Sequence, residues 1–197
     1  MRLRLLPAAD YVRAPWRNQA GWTREIAAAH AADESLLWRA SIADIDAACD
    51  YSPWPGLHRH HRLLSGNGLR LRFADGREQA LLPPHQGIAF DGDAAPRCDL
   101  LDGPVTAFNL MHDPERMSAS VLHRPLVGTL TLFPDERETW LIYLIAGSLR
   151  GDTVALAQGD SLIIDQAIAD NRRLLLDGAG EALLIRLVER ASPDAAP

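Results

Sequence analysis

The chain has 197 residues, 47% of them hydrophobic and 23% charged, and a net charge of -6 at neutral pH. That is the size of one domain with enough apolar residues to build a core without staples. The acidic balance, with no Lys/Arg run, argues against a nucleic-acid partner, which needs a basic face. Met1–Pro7 is too short an apolar run for a secretion signal, and no segment approaches the length of a membrane span. Two cysteines, Cys49 and Cys98, make neither a disulfide framework nor a metal spacing. They point to free thiols in a reducing cytoplasm.

Taken in chain order, the first region with an ambiguous pattern is Ile26–Glu34. Its Ala and Glu content favours a helix, but strand and loop is the reading adopted here. Leu69-Arg-Leu-Arg-Phe73 alternates apolar and basic residues, as a half-buried strand does. Further strands are expected at 62–64, 80–82, 87–90, 98–101 and 105–111, separated by Ser65–Gly68, Ala74–Gly76, Pro83-Pro84, Asp91-Gly92 and Asp102–Pro104. The later part repeats this style. Trp140–Ile145 stops at Ala146-Gly147-Ser148, and 153–157 and 161–164 follow. Leu174–Leu176 stops at Asp177-Gly178, and 182–188 closes the pattern. Residues 191–197 show no periodicity and read as a loose tail.

Two landmarks suggest a duplication. Leu64-Ser-Gly66 matches Ile145-Ala-Gly147, 81 positions on, and Leu101-Asp-Gly103 matches Leu176-Asp-Gly178, 75 positions on. The order strand, Gly turn, strand, Gly, strand, Asp-Gly turn, strand is the same in both. Chance recurrence of turns in an all-β protein is the simpler reading, and a duplicated β unit is the better one.

Four motifs stand out: Trp16-Arg-Asn-Gln-Ala-Gly-Trp-Thr-Arg-Glu-Ile26, Leu37-Trp-Arg-Ala-Ser-Ile-Ala43, Tyr51-Ser-Pro-Trp-Pro-Gly-Leu-His-Arg59 and Asp102-Gly-Pro with Phe108-Asn-Leu-Met111. In this order they resemble the HutD/Ves family over roughly residues 1–190. Departures are Gln19-Ala20 for two glycines, Trp54 for Phe, His58 for Asp, and Ala107 for the Asp before Phe108. The first change narrows a backbone approach to ligand, and the others are expected to alter the charge of the pocket rim. The resemblance implies an all-β bicupin: two cupin-like β-barrel halves in one domain of the RmlC-like jelly-roll type. The halves are set at about 1–115 and 116–190, followed by the 191–197 tail. It also implies a link to histidine utilisation, through binding of an intermediate such as formylglutamate or urocanate.

The candidate ligand-binding residues are Asn18, Thr23, Glu25, Arg39, Ser41, Arg59 and Asn109. Arg39 and Ser41 share one face of a strand, because side chains repeat every two residues. An Arg at a barrel mouth clamps a carboxylate with paired hydrogen bonds. The alternative for Arg39 and Arg59 is a surface charge or an ion pair with Glu25 or an Asp. Asn18, Thr23 and Asn109 offer neutral hydrogen bonds to a ligand or to turns. Glu25 is expected to hold an Arg in place.

His58 and His60 have the H-x-H spacing that puts two imidazoles on one side of a strand. The glutamate expected a few residues later is missing, and His85 is the nearest further histidine considered. His58, His60 and His61 are therefore expected to be solvated, with no metal, cofactor or catalytic residue. No nucleophile elbow or phosphate loop is present. The expected role is non-catalytic binding of a small carboxylate in the cytoplasm, with no membrane partner and homodimerisation left open. The alternatives are a metal-dependent cupin isomerase or dioxygenase, and a self-pairing scaffold.

Overall fold

A computed structural model describes residues 1–16, 21–165 and 173–190. Asn18, Gln19, Ala20 and the expected tail at 191–197 lie outside the described residues. The chain is all-β. Its strands are β1 (Arg2–Leu6), β2 (Val12–Pro15), β3 (Gly21–His30), β4 (Leu36–Ile45), β5 (Cys49–Asp50), β6 (His58–Ser65), β7 (Leu69–Arg72) and β8 (Glu78–Leu81). They continue with β9 (Gly87–Asp91), β10 (Arg97–Leu100), β11 (Val105–His112), β12 (Met117–Leu132), β13 (Glu138–Arg150), β14 (Ala155–Ala157), β15 (Ser161–Asp165) and β16 (Leu174–Glu189). One short 3-10 turn, Ala8–Asp10, interrupts them. Among the described residues no helix is long and apolar enough to cross a membrane.

The strands form two compact units, Val12–Pro114 and Met1–Tyr11 with Glu115–Pro197. A linear division near residue 115 does not express one feature, the pairing of β1 with β15 in the later unit. The Val12–Pro114 unit contains a sheet ordered β2-β3-β4-β11-β6-β9 and a four-stranded sheet ordered β5-β10-β7-β8. Its core includes Ile45, Leu63, Leu69, Leu71, Leu81, Phe90, Cys98 and Val105. Leu69 and Leu71 are buried while Arg70 and Arg72 turn outward, as the alternation predicts. Cys49 and Cys98 face each other across β5 and β10 as buried free thiols. Burial raises Cys49 to about 11, so neither is poised to react.

The Ala-rich segment is strand up to His30, because Ala27–His30 of β3 pair with Leu36–Ala40 of β4. Lateral hydrogen bonding overrides the helical preference of alanine there. Two other expectations change. The strand expected to stop at Ala146 runs on to Arg150, and the one expected to stop at Asp177 runs from Leu174 to Glu189. Gly147 has φ +86°, and a Cβ on it would lie 1.9 Å from the Ala179 carbonyl oxygen. These glycines mark a close approach of two long strands, where the sequence suggests turns.

The duplication is visible in that same detail. Across β6 and β11, Thr106 faces Ser65 and Ala107 faces Leu63, leaving Leu64 as a bulged extra residue. Across β13 and β16, Leu144 faces Ala182 and Ala146 faces Glu181, leaving Ile145. Leu64 and Ile145 are 81 positions apart, the spacing of the two Gly landmarks. A Cβ on Gly66 would lie 2.7 Å from the Pro104 carbonyl oxygen, and Pro104 is 75 positions before Ala179. Chance turns do not reproduce a bulge and its backbone contact at both spacings.

Candidate functional site

Three neighbouring strands of the first unit lay out the site as a grid. On one face Arg39, Met111 and Arg59 stand in one row across β4, β11 and β6, and Ser41, Asn109 and His61 stand in the next. Alternation sends His58, His60 and His112 to the other face. The first face borders a cavity of about 740 Å3 lined by Thr23, Arg39, Ser41, Asp50, Tyr51, Arg59, Asn109 and Met111, with Trp16, Trp54, Ala43, Pro15, Ser52 and Pro53 completing it. That volume suits a small metabolite.

Arg59 is its dominant charge. It is 5% exposed and lies over the rings of Tyr51 and Phe90 at 5.3 and 5.2 Å. One Nη donates to the Ser52 carbonyl at 3.5 Å and the other to Asn109 Oδ1 at 3.3 Å, both long. Its buried Nε has no acceptor, and among the described residues no carboxylate pairs with it. Burial lowers its pKa to about 10, so it is still a cation at neutral pH.

The network beneath the cavity has a fixed direction. Arg59 can only donate, so Asn109 must present Oδ1 to it. That same oxygen lies 2.7 Å from His61 Nδ1, which therefore carries the proton and donates. His61 Nε2 then accepts from the Tyr51 hydroxyl at 3.1 Å. Burial and the Arg59 charge depress His61 to about 4, and burial raises Tyr51 well above its usual range. Both are neutral in the required sense. With Oδ1 occupied twice, the Asn109 amide NH2 remains as a donor for a ligand.

The other expected residues divide clearly. Thr23, Arg39, Ser41, Arg59 and Asn109 all line the one cavity. Thr23 Oγ1 accepts from the Trp16 indole at 2.8 Å, leaving its hydroxyl proton unused. Ser41 is buried at the cavity wall. Glu25 does not line the cavity but pairs with Arg39 at 2.6 Å. Asn18 lies outside the described residues.

Three sequence expectations need correction. His61 is not solvated but 1% exposed. It was legible in principle, since it follows Arg59 by two positions on one strand. His58 does not alter the rim charge, because it faces away from the cavity. Ala107 is fully buried in the core of the unit, not at a rim. Tyr51 and His112 went unrecognised as parts of side-chain clusters, because His112 reaches β6 only through strand pairing and Tyr51 only from the loop after β5.

Among the described residues no imidazole or thiol lines the cavity. Its polar groups include the guanidiniums of Arg39 and Arg59, the Asn109 amide, the hydroxyls of Thr23, Ser41, Tyr51 and Ser52, and one carboxylate, Asp50. Two guanidiniums beside neutral donors are a chemistry suited to an anion with further acceptors.

The comparisons agree with this architecture. A bacterial pirin, YhhW of Escherichia coli, solved with nickel(II), superposes with a TM-score of 0.70 at 9% identity, over 96% of this chain and all of that one. That likeness shows the cupin-type fold alone. HutD of Pseudomonas fluorescens SBW25 superposes with a TM-score of 0.83 at 32% identity, over 96% of this chain and 100% of that one. A 21.2 kDa protein of Pseudomonas putida, encoded in the 3′ region of hutC, is 39% identical over 119 residues, 60% of this chain. The match spans 62% of that relative's length. The HutD family model matches residues 8–184, and the chain belongs to the HutD family.

Proposed function

We propose that the cavity binds a small carboxylate metabolite without transforming it, and that this binding tunes histidine utilisation. One observation carries the reading: Arg59 is a buried cation at a cavity wall with no carboxylate partner. Burying such a charge costs several kcal/mol unless an anion compensates it. A ligand carboxylate on Arg59 supplies the compensation, with Arg39 close by as a second cation. The Asn109 amide and the Thr23 and Ser41 hydroxyls suit the remaining acceptors of a ligand such as formylglutamate or urocanate. The hutC-adjacent gene of the Pseudomonas putida relative supports placing that ligand in the histidine pathway.

Calorimetric titration with formylglutamate, urocanate and simple dicarboxylates tests this. Saturable binding by one of the first two, weakened at least tenfold in Arg59→Ala, is the expected result. Binding unaffected by Arg59→Ala, or turnover of either compound, overturns it.

A further inference from the structure

We infer that the face of the β6–β11 pair turned away from the cavity carries a transition-metal site made by His58, His60 and His112, with Asp91 orienting His58. The H-x-H motif supplies two of these imidazoles. The expectation of no metal rested on the lack of a third ligand near it in sequence. The fold provides one, because His112 pairs directly opposite His58.

Each pair of the three rings has its centroids 5.6 Å apart. Imidazoles bound tetrahedrally through nitrogens at about 2.0–2.1 Å hold their centroids about 5 Å apart. The ring spacing is thus close to that of a bound set, but His60 and His112 are stacked at 26°, so their nitrogens meet on one ion only after rotation about the Cβ–Cγ bonds.

Two further observations point to a ligand. Asp91 lies opposite His58 on β9, and its Oδ1 is 3.0 Å from His58 Nδ1. A carboxylate on one ring nitrogen fixes the tautomer and leaves Nε2 as a lone pair, the arrangement that supports metal-bound histidines. His60 Nε2 is buried and has no hydrogen-bond partner. A buried polar atom left in that state is uncommon and calls for a partner.

The His58 side chain is 30% exposed and that of Asp91 81%, so an ion can reach the site from solvent. Three nitrogen ligands suit zinc, cobalt, nickel or copper over magnesium or calcium. The fourth position is left to water. The corresponding positions of the second unit are Thr139, Leu141 and Leu187, so the site belongs to the first unit alone.

The test uses untagged full-length protein stripped with a chelator and then dialysed. Cobalt(II) should bind at one ion per chain and give the intense visible bands of a tetrahedral site, and zinc(II) should displace it. His60→Ala and His112→Ala, each checked for a native circular dichroism spectrum, should abolish the bands. Asp91→Asn, at an exposed side chain, should weaken binding 10- to 100-fold. His123→Ala, in the other unit, should change nothing. Should His112→Ala fail to fold, His60→Ala and Asp91→Asn still decide. No saturable cobalt binding, full binding in His60→Ala, or loss of binding in His123→Ala overturns the inference.

Discussion

The two units share a strand plan and differ in what they place inside it. Shifting β6 by 81 positions and β11 by 75 lays them on β13 and β16. His61 opposite Asn109 then becomes Ile142 opposite Leu184, and Arg59 opposite Met111 becomes Trp140 opposite Arg186. In the second unit Ile142 and Leu184 are buried with Leu144, Leu162 and Ile164 in an apolar core. Its cation is also neutralised. Glu138 accepts from Arg186 and from the Trp140 indole, the latter at 2.8 Å. In the first unit the same positions hold a polar network and a cation without a carboxylate. The lesson is about stability and function within one scaffold. The second unit uses these positions for packing, and the first gives up that packing for a charged, hydrogen-bonded cavity.

The sharpest way to break the comparison is to exchange one residue. Leu184→Asn puts the first unit's amide into the second unit's core, where no His61 or Arg59 equivalent satisfies it. The loss of apolar packing and the unsatisfied amide together should cost about 3–5 kcal/mol in denaturant unfolding. A cost below about 1 kcal/mol would show that the second unit also holds a hydrated, adaptable interior.

The next test uses protons. His61 titrates near 6.5 when unfolded and near 4 when folded. Between those values the unfolded chain binds more protons, so stability falls as pH drops from about 6.5 to about 4. The shift corresponds to at most about 3 kcal/mol. His60 adds to the slope in the same window. The second unit's counterparts, Ile142 and Leu141, do not titrate. The measurement is stability against pH for wild type and His61→Gln, and the variant should show a shallower acid slope. An unchanged slope would mean that His61 is already charged or solvated.

Arg59→Ala follows in size. It removes a charge-assisted pair worth about 1.5–3 kcal/mol of ligand affinity, tenfold or more. Arg59→Lys should restore only part, because an ammonium cannot make two parallel bonds to a carboxylate. Full recovery in the Lys variant would reduce Arg59 to a point charge. Trp140→Ala in the second unit should leave ligand affinity within about twofold of wild type, a change under about 0.5 kcal/mol.

Much of this was legible in the sequence, and the limits have physical causes. Period-two alternation placed Leu69 and Leu71 inside and put Arg39 with Ser41 on one face. The Gly landmarks exposed the duplication because a close backbone approach excludes any side chain. The same glycines misled on strand ends, since a turn and a crossing both demand them. The candidate site was legible where its residues sit in motifs, as with Arg59 and Asn109. His61 was misread as solvated because His58, His60 and His61 fall on both phases of the strand, and the phase is not fixed until one neighbour's direction is known. His112 was invisible as a partner of His58, because its proximity exists only in the β6–β11 register.

The smallest loss expected within the cavity concerns Ser41, and it tests how finely the grid of β4, β11 and β6 is read. Ser41 lies opposite Asn109, one row along from Arg39, and borders the cavity. It is 3% exposed, so its hydroxyl either meets the ligand or meets nothing else polar of consequence. A neutral hydrogen bond contributes about 0.5–1.5 kcal/mol, which is roughly two- to tenfold in affinity. Ser41→Ala should therefore weaken the ligand by that amount and leave unfolding stability nearly unchanged, since the methyl fills the same space. Titration of Ser41→Ala beside Arg59→Ala decides. A loss as large as that of Arg59→Ala would move the ligand's charged end from β6 toward β4. No loss at all would put the ligand on the Trp16 and Trp54 side of the cavity, away from the row that Ser41 shares with Asn109.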